Sequence, residues 1–276
     1  MNERSPDTQR HSYDMDKLDA VAELDRLRAQ VDLVRTLERA YLATLGIEKN
    51  ASILDLGCGP GYVSEVFGEL VPEGRVWGVD VDPALLARAR QTFAQRGWSH
   101  GEFIAAWADK LPLADQSVDV VYSRFLFQHL ANPVGVLAEV RRVAKPGARV
   151  VLVDTDDASI VVHPEIPGFR AFLDASNLAQ KNAGGDRFVG RKLRAYLVGA
   201  GFEDVHVRVE PFTSDTVGMA AFLDIAVGYK RQIITDDLLS ADAVRDVLAA
   251  LESLKSDPGA FGQTLGYIAS ARAPDA

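Results

Sequence analysis

The chain has 276 residues, 47% of them hydrophobic and 25% charged, with a formal net charge of −9. That length supports a substantial core, and the balance excludes a disordered chain. The acidic charge argues against broad contact with nucleic acid or an anionic membrane, since both call for a basic surface.

A single cysteine, Cys58, leaves no internal disulfide. The opening "MNERSPDTQRHSYDMDK" lacks the apolar stretch of a signal peptide. No run approaches the ~18 apolar residues of a membrane span. A reducing cytoplasm is the expected setting. Leu18, Val21, Leu24, Leu27, Val31, Val34, Leu37 and Leu42 recur every three or four residues, which predicts one or two amphipathic helices ending near Gly46. Strand and helix signals alternate from there. "SILDLG" reads as a strand and residues 62–70 as a helix closed by "VPEG". "RVWGVDV" is a second strand, and Pro83 starts a helix running to about residue 96. "GEFIAA" and "VDVVYS" are strands three and four, residues 133–144 a helix, and Pro146-Gly147 a turn into the fifth strand, "ARVVLVD".

Beyond residue 155 the pattern loosens. "TDDASIVVHPEIPG" reads as a loop, residues 169–182 as a helix, and "GRKLRAYLVGAG" as a helix leading into the strand "FEDVHVRVE". Two further helices are expected over about 215–256, and "FGQTLGYIASARA" as the last strand. Short apolar runs alternating with amphipathic helices predict an α/β fold, a Rossmann-like doubly wound, mostly parallel seven-stranded sheet. N-terminal helices and helical lid insertions near the last strands complete it. One domain over 1–276 is expected: a helical cap to about 46, a cofactor-binding core over 47–155, and lid insertions with the last strands over 156–276.

The stretch "ILDLGCGPGYVS" places glycines at 57, 59 and 61 directly after a buried strand. Such a cluster implies that something approaches the backbone closely, at the carboxyl edge where open α/β sheets bind ligands. A dinucleotide fingerprint would put its third glycine where Tyr62 stands, and a phosphate loop would need a Lys-Ser or Lys-Thr that is missing. Asp55, two residues before the first glycine, would repel phosphate but suits a cation. Asp80 ends the second strand, where an acid can accept both ribose hydroxyls, with Val81 beside it. Asp82 caps the helix that begins at Pro83.

"LDLGCGPG" resembles the first motif of the class I S-adenosylmethionine-dependent methyltransferases. The resemblance implies that the loop wraps the amino-acid and sulfonium end of the cofactor, with Asp55 supporting its amine. It covers residues 53 to about 201 and includes "VWGVDVDP" and "VDVVYSRFLFQHLANPVGVLAEVRRVAKPGARVVLVD". It departs from the family at "AAWADKLPL", where Trp107 replaces the acid that receives the adenine amine. Trp107 could instead stack on the adenine or belong to the core, Ala108 could pair with the base through its backbone, and Asp109 could replace the lost acceptor. Ser123 would lie beside the methionine part. Arg124 would pair with a carboxylate of cofactor or substrate, or with one of the aspartates after strand five. "ELDRLRAQVDLV" resembles a helix of an actinobacterial-type natural-product subgroup that lies over the cofactor, which nominates Gln30 and, more weakly, Arg26.

Methyl transfer chiefly requires placing a nucleophile and excluding water, with a base assisting a hydroxyl acceptor. His129, after strand four, is the candidate base, or else lines the pocket. Asp154, Asp156 and Asp157 follow strand five; they could assist His129 or contact substrate, and no metal site is expected. His163 is expected in an exposed loop, and Cys58 as a small filler. Phe169, Phe172, Leu173, Phe212, Met219, Phe222 and Tyr229 form either core or a lid over a mainly apolar acceptor. The expected activity is methylation of an apolar or aromatic small molecule in secondary metabolism, with S-adenosyl-L-methionine as cofactor. The alternatives are a cyclisation or rearrangement that uses the cofactor structurally, or a non-catalytic binding protein. The expected partner is a small-molecule acceptor, with no nucleic acid and no membrane, and a homodimer is left open.

Overall fold

The computed structural model describes residue 28 and residues 38–275. Apart from Arg28, the N-terminal helical pattern over 18–37, with Arg26 and Gln30, lies outside the described residues. Its continuation over 38–44 is helical and ends before Gly46 at φ 62°.

The order is β1 (Ser52–Leu56), α1 (Tyr62–Leu70), β2 (Arg75–Asp80), α2 (Pro83–Gln95), β3 (Gly101–Ala105), β4 (Val118–Arg124), α3 (Pro133–Val143) and β5 (Ala144–Thr155). β6 (Val161–His163), α4 (Phe169–Asn182), α5 (Leu193–Gly199), β7 (Glu203–Thr213), α6 (Met219–Val227), α7 (Ala241–Ser253) and β8 (Phe261–Arg272) follow. The sheet runs β3-β2-β1-β4-β5-β8-β6, with β7 on the other edge of β8. β1 to β5 pair in parallel, and β8 is antiparallel to β5, β6 and β7. An α/β, Rossmann-like, mostly parallel sheet is therefore what the alternating pattern builds. It has eight strands because Val161–His163, inside the segment read as a loop, pairs with Phe261–Gln263.

Successive strand residues face opposite sides, and both sides are covered. Leu54, Leu56, Val121 and Leu152 pack with Leu137 and Val140 of α3 and with Leu193 and Leu197 of α5. Ile53, Val76, Val120 and Val151 pack on the other face with Val66 and Phe67 of α1 and with Leu86 and Phe93 of α2. A third cluster belongs to the insertions and joins Phe169, Phe172 and Leu173 to Phe222, Val247 and Leu251. Those aromatic residues are thus the insertions' own core.

Two boundaries differ from the sequence reading. β5 begins at Ala144, so the Lys-Pro-Gly turn lies within the strand, and the β4–β5 ladder shifts register between Val118 and Val120. The span 215–256 holds four α-helical pieces and a closing 3-10 turn, Leu254–Ser256. Gly218 at φ 84° separates a short turn, Ser214–Val217, from α6, and Lys230–Ile233 is another turn. Ser240 then caps α7 with its hydroxyl. Among the described residues no helix is long and apolar enough to cross a membrane.

Candidate active site

Parallel register brings the ends of β1, β2, β4 and β5 to one edge: Leu56 pairs with Val79 and Ser123, and Ser123 with Leu152. The glycine loop folds over that edge. Gly57 and Cys58 both donate N–H to the Val79 oxygen, at 2.8 and 3.1 Å, and Gly61 donates to Cys58 O at 3.0 Å. Gly57, Gly59 and Gly61 all have positive φ, at 73°, 52° and 77°. Their surroundings differ. A Cβ on Gly61 would lie 2.5 Å from the Ala89 Cβ, whereas among the described residues a Cβ on Gly59 would meet nothing within 4 Å. Gly61 is therefore glycine for helix packing, and Gly59 lies where the loop faces open space.

Asp80 is locked beside this space. One carboxylate oxygen accepts the Gly59 N–H at 2.8 Å and the other the Asp82 N–H at 3.0 Å. Each oxygen keeps a further lone pair for a ligand hydroxyl. Burial raises the pKa of Asp80. Asp55 is 2% exposed and accepts the Ser64 hydroxyl at 2.5 Å. Burial pushes its carboxyl up to about 7, against lowering by Ser64 and Arg124. Burial, with Asp55 and Asp80 nearby, likewise pushes the Cys58 thiol up, consistent with an inert filler. Asp82 caps α2 through Ala84 N–H at 2.8 Å.

Among the described residues Ser123 Oγ is buried without a hydrogen-bond partner, and α1 starts at Gly61 without a side-chain cap. A buried orphan hydroxyl, an uncapped helix start and the open face at Gly59 are what an amino-acid-bearing nucleoside would satisfy. Arg124 pairs with Glu38 at 3.4 Å, and Glu38 also accepts the Tyr122 hydroxyl. Among the described residues that is the ion pair Arg124 makes, and none is seen with the aspartates after β5. Val81 is 36% exposed, while Trp107, Ala108 and Asp109 are half-buried after β3. Among the described residues, none of the three core clusters contains Trp107, which weakens its reading as core.

His129 ends a short turn, Phe127–His129, after β4 and is buried. Its Nδ1 lies 2.9 Å from Gln180 Nε2, and its ring meets Tyr229 edge-on at 5.7 Å. The three aspartates do not converge on it. Asp154 accepts Gln128 N–H at 3.1 Å and Thr155 N–H at 2.9 Å, and burial pushes it up to about 7. Asp156 accepts Ala158 N–H at 3.1 Å and is gripped by Arg191, with Nη2 at 2.6 Å. Asp157 takes Arg187 in two bonds of 3.0 and 3.1 Å, and Lys230 at 3.3 Å. Burial alone would raise Asp157, but Arg187 and Lys230 outweigh it and hold the carboxyl below its ordinary value. His163 is exposed at the end of β6.

Glu38, Ser64, Gln180, Arg187 and Lys230 are absent from the sequence reading. Gln180, Arg187 and Lys230 stand 51, 30 and 73 residues from their partners His129, Asp157 and Asp157, and no local spacing carries that signal.

The fold and this edge define a class I methyltransferase scaffold. A family model described as a methyltransferase domain matches residues 54–152. The chain is 31% identical over 193 residues to the ubiquinone/menaquinone biosynthesis C-methyltransferase UbiE of Desulfotalea psychrophila, covering 66% of this chain and 76% of that one. It is 29% identical over 227 residues to a demethylmenaquinone methyltransferase of Geobacillus stearothermophilus, covering 76% and 93%. The structure of the [4+2]-cyclase SpnF superposes with a TM-score of 0.53 at 22% identity, over 82% of this chain and 76% of that chain, which shows a shared fold. The chain spans about half to three fifths of the length of the first curated relatives it matches. The chain belongs to the S-adenosylmethionine-dependent methyltransferases, and S-adenosyl-L-methionine is its cofactor.

Proposed function

We propose that the protein transfers a methyl group to an apolar or aromatic small molecule with a quinone-like ring, in secondary metabolism and in the cytoplasm. The open loop face at Gly59 beside the locked Asp80 carboxylate carries this reading. The quinone methylation named for two relatives favours such an acceptor.

In this reading Asp80 holds the ribose, Asp55 faces the amine, and the 57–61 loop gives close backbone approach. Val81, Trp107 and Ala108 border the adenine, and Ser123 and Arg124 the methionine end. Gln30 is kept as a further contact. The cofactor supplies an electrophilic methyl on a sulfonium. The protein's part is to bring the acceptor's nucleophilic atom into line and to exclude water. His129 is the group beside the acceptor. Asp154 becomes a positioning residue, because its carboxylate ties the backbone before His129 to the end of β5. Asp156, engaged by Arg191 and Ala158, shapes the following loop and does not act on substrate.

The test is transfer of isotope from labelled methyl donor to a panel of hydroxylated quinones, phenols and enols, read by mass spectrometry. Labelled product is expected. Turnover of an acceptor without label would point to a rearrangement that uses the cofactor structurally, and would sink the proposal.

A further inference from the structure

β7 is the outer strand beside β8, and its middle lies open: Val207 is 37% exposed and Val209 44%. The ladder decides which of its backbone groups face outward. Phe125 N–H donates to the Val153 oxygen, so Val153 points to the β4 side of β5 and its neighbour Leu152 to β8. Leu152 pairs with Ala269, so Ala269 points to β5, and Ile268 and Ser270 point to β7. These pair with Arg208 and His206, which turns Val207, Val209 and Pro211 away from the sheet. Pro211 agrees with that assignment, because a strand tolerates proline where its nitrogen faces outward. At the other end of the row, the Val205 oxygen takes Arg194 Nη1 of α5 at 2.6 Å. Between these two ends, among the described residues, the N–H and C=O groups of Val207 and Val209 meet no protein partner.

The side chains follow the same period. Val207, Val209 and Pro211 share the face that α5 covers further in, and Val198, one turn after Arg194 on α5, is exposed as well. His206, Arg208, Glu210 and Phe212 share the opposite face, where Arg208 and Glu210 form an ion pair.

A strand that pairs with its own copy about a two-fold runs antiparallel to it, and the assembly closes at two chains. The charges on β7 choose the axis. Centred on Arg208 or on Glu210, the pairing would set like charges face to face. Centred on Val207, it would call on the Val205 oxygen that Arg194 already holds, and leave Glu210 facing the irregular stretch at Asp204. Centred on Val209, it sets Arg208 against Glu210 of the second copy, and Glu210 against its Arg208. Val209 then faces Val209, and Val207 faces Pro211. Four backbone bonds form, Val209 N–H to Val209 O and Val207 N–H to Pro211 O, each in both directions. We propose that β7 is a homodimer surface, to which a second copy of this chain adds its own β7, antiparallel about Val209, so that the sheet continues across the two-fold. A strand pair this short buries little surface, so the dimer is reversible. The glycine loop and Asp80 follow β1 and β2, separated from β7 by β4, β5 and β8, so each copy keeps its own site.

The test is analytical ultracentrifugation of the full chain from about 1 to 200 µM, with Arg208→Glu and Glu210→Arg. Wild type should pass from monomer to dimer across this range. Either variant alone sets like charges face to face twice and should weaken self-association about tenfold or more. An equimolar mixture of the two variants offers opposite charges at both positions and should dimerise again. Both variants should keep the wild-type affinity for S-adenosyl-L-methionine, since an exposed ion pair contributes little to the fold. If either fails to fold, Val209→Pro serves instead: it removes the outward N–H at the two-fold where a strand tolerates proline, and should leave the chain monomeric. A wild-type chain that stays monomeric throughout overturns the proposal, as does a dimer indifferent to the substitutions or a mixture that does not reassociate. Hydrogen exchange supplies a second readout, with protection of the Val207 and Val209 amides rising with protein concentration. Protection in the monomer would put another segment of the chain on this edge and overturn the proposal too.

Discussion

Two alanine substitutions in one loop should fail in different ways. Gly59 and Gly61 both occupy left-handed backbone, at φ 52° and 77°, which costs an L-residue about 1–2 kcal/mol. At Gly61 a new methyl would also stand 2.5 Å from the Ala89 Cβ and 3.0 Å from its Cα, where no side-chain rotation relieves the clash. Overpacking adds about 1–3 kcal/mol, for a total near 2–5 kcal/mol. At roughly 2–4 °C per kcal/mol, Gly61→Ala should lower Tm by roughly 4–20 °C, and Gly59→Ala by roughly 2–8 °C. Cofactor affinity should run the other way. The Gly59 methyl enters the open space that we assign to the ligand, so its Kd should weaken tenfold or more, about 1.4 kcal/mol. Scanning fluorimetry on the ligand-free protein and calorimetric titration with S-adenosyl-L-methionine measure the two quantities separately. An unchanged Kd in Gly59→Ala would refute the placement of the cofactor against the loop, and a wild-type Tm in Gly61→Ala would refute the packing argument.

Asp55 and Asp154 both have native pKa values raised to about 7 by burial, so their neutral forms are favoured on folding. Their stabilising effect is fully present below the ordinary carboxylate range and is lost as pH rises through about 7. Their contribution to the Tm of the ligand-free protein should therefore fall from pH 5 to pH 8, and Asp55→Asn should flatten that slope. If the cofactor amine meets Asp55, binding near pH 6.5 should release a proton, seen as a dependence of calorimetric enthalpy on buffer ionisation heat; no such dependence would detach Asp55 from the amine. Arg187→Met leaves Asp157 buried with Lys230 alone and should cost about 3–5 kcal/mol in urea unfolding. A loss below ~1 kcal/mol would make the cluster incidental. Trp107→Ala should abolish a cofactor-induced change in tryptophan emission together with part of the affinity; an unaltered signal and Kd would make Trp107 a bystander.

Much of the proposed cofactor side of the site was legible because its determinants are local. Asp55 and the glycines follow one strand, Asp80 ends the next, and parallel pairing then sets them at one edge. The acceptor side was legible only as a list of residue types. Asp154 and Asp156 looked like a cluster because they are neighbours in sequence, yet their carboxylates turn to Gln128 and Arg191. His129 was nominated as a base by its residue type and its place after β4. The short β6 was read as a loop because three residues carry too little periodicity, and it is a strand only because β8 offers it an edge.

By itself the sequence determined the layer order, the two apolar faces of the sheet and the edge where we propose the ligand binds, since hydrophobic period and glycine spacing act over a few residues. Tertiary structure alone decided the side-chain contacts around His129, on the proposed acceptor side. Gln128, Gln180, Arg187 and Tyr229 meet around His129 only when α4 and the turn before Lys230 fold back over β4 and β5. A hydrogen bond needs its partners within about 3 Å and correctly oriented, and nothing in the spacing of residues 51 positions apart sets that distance or direction.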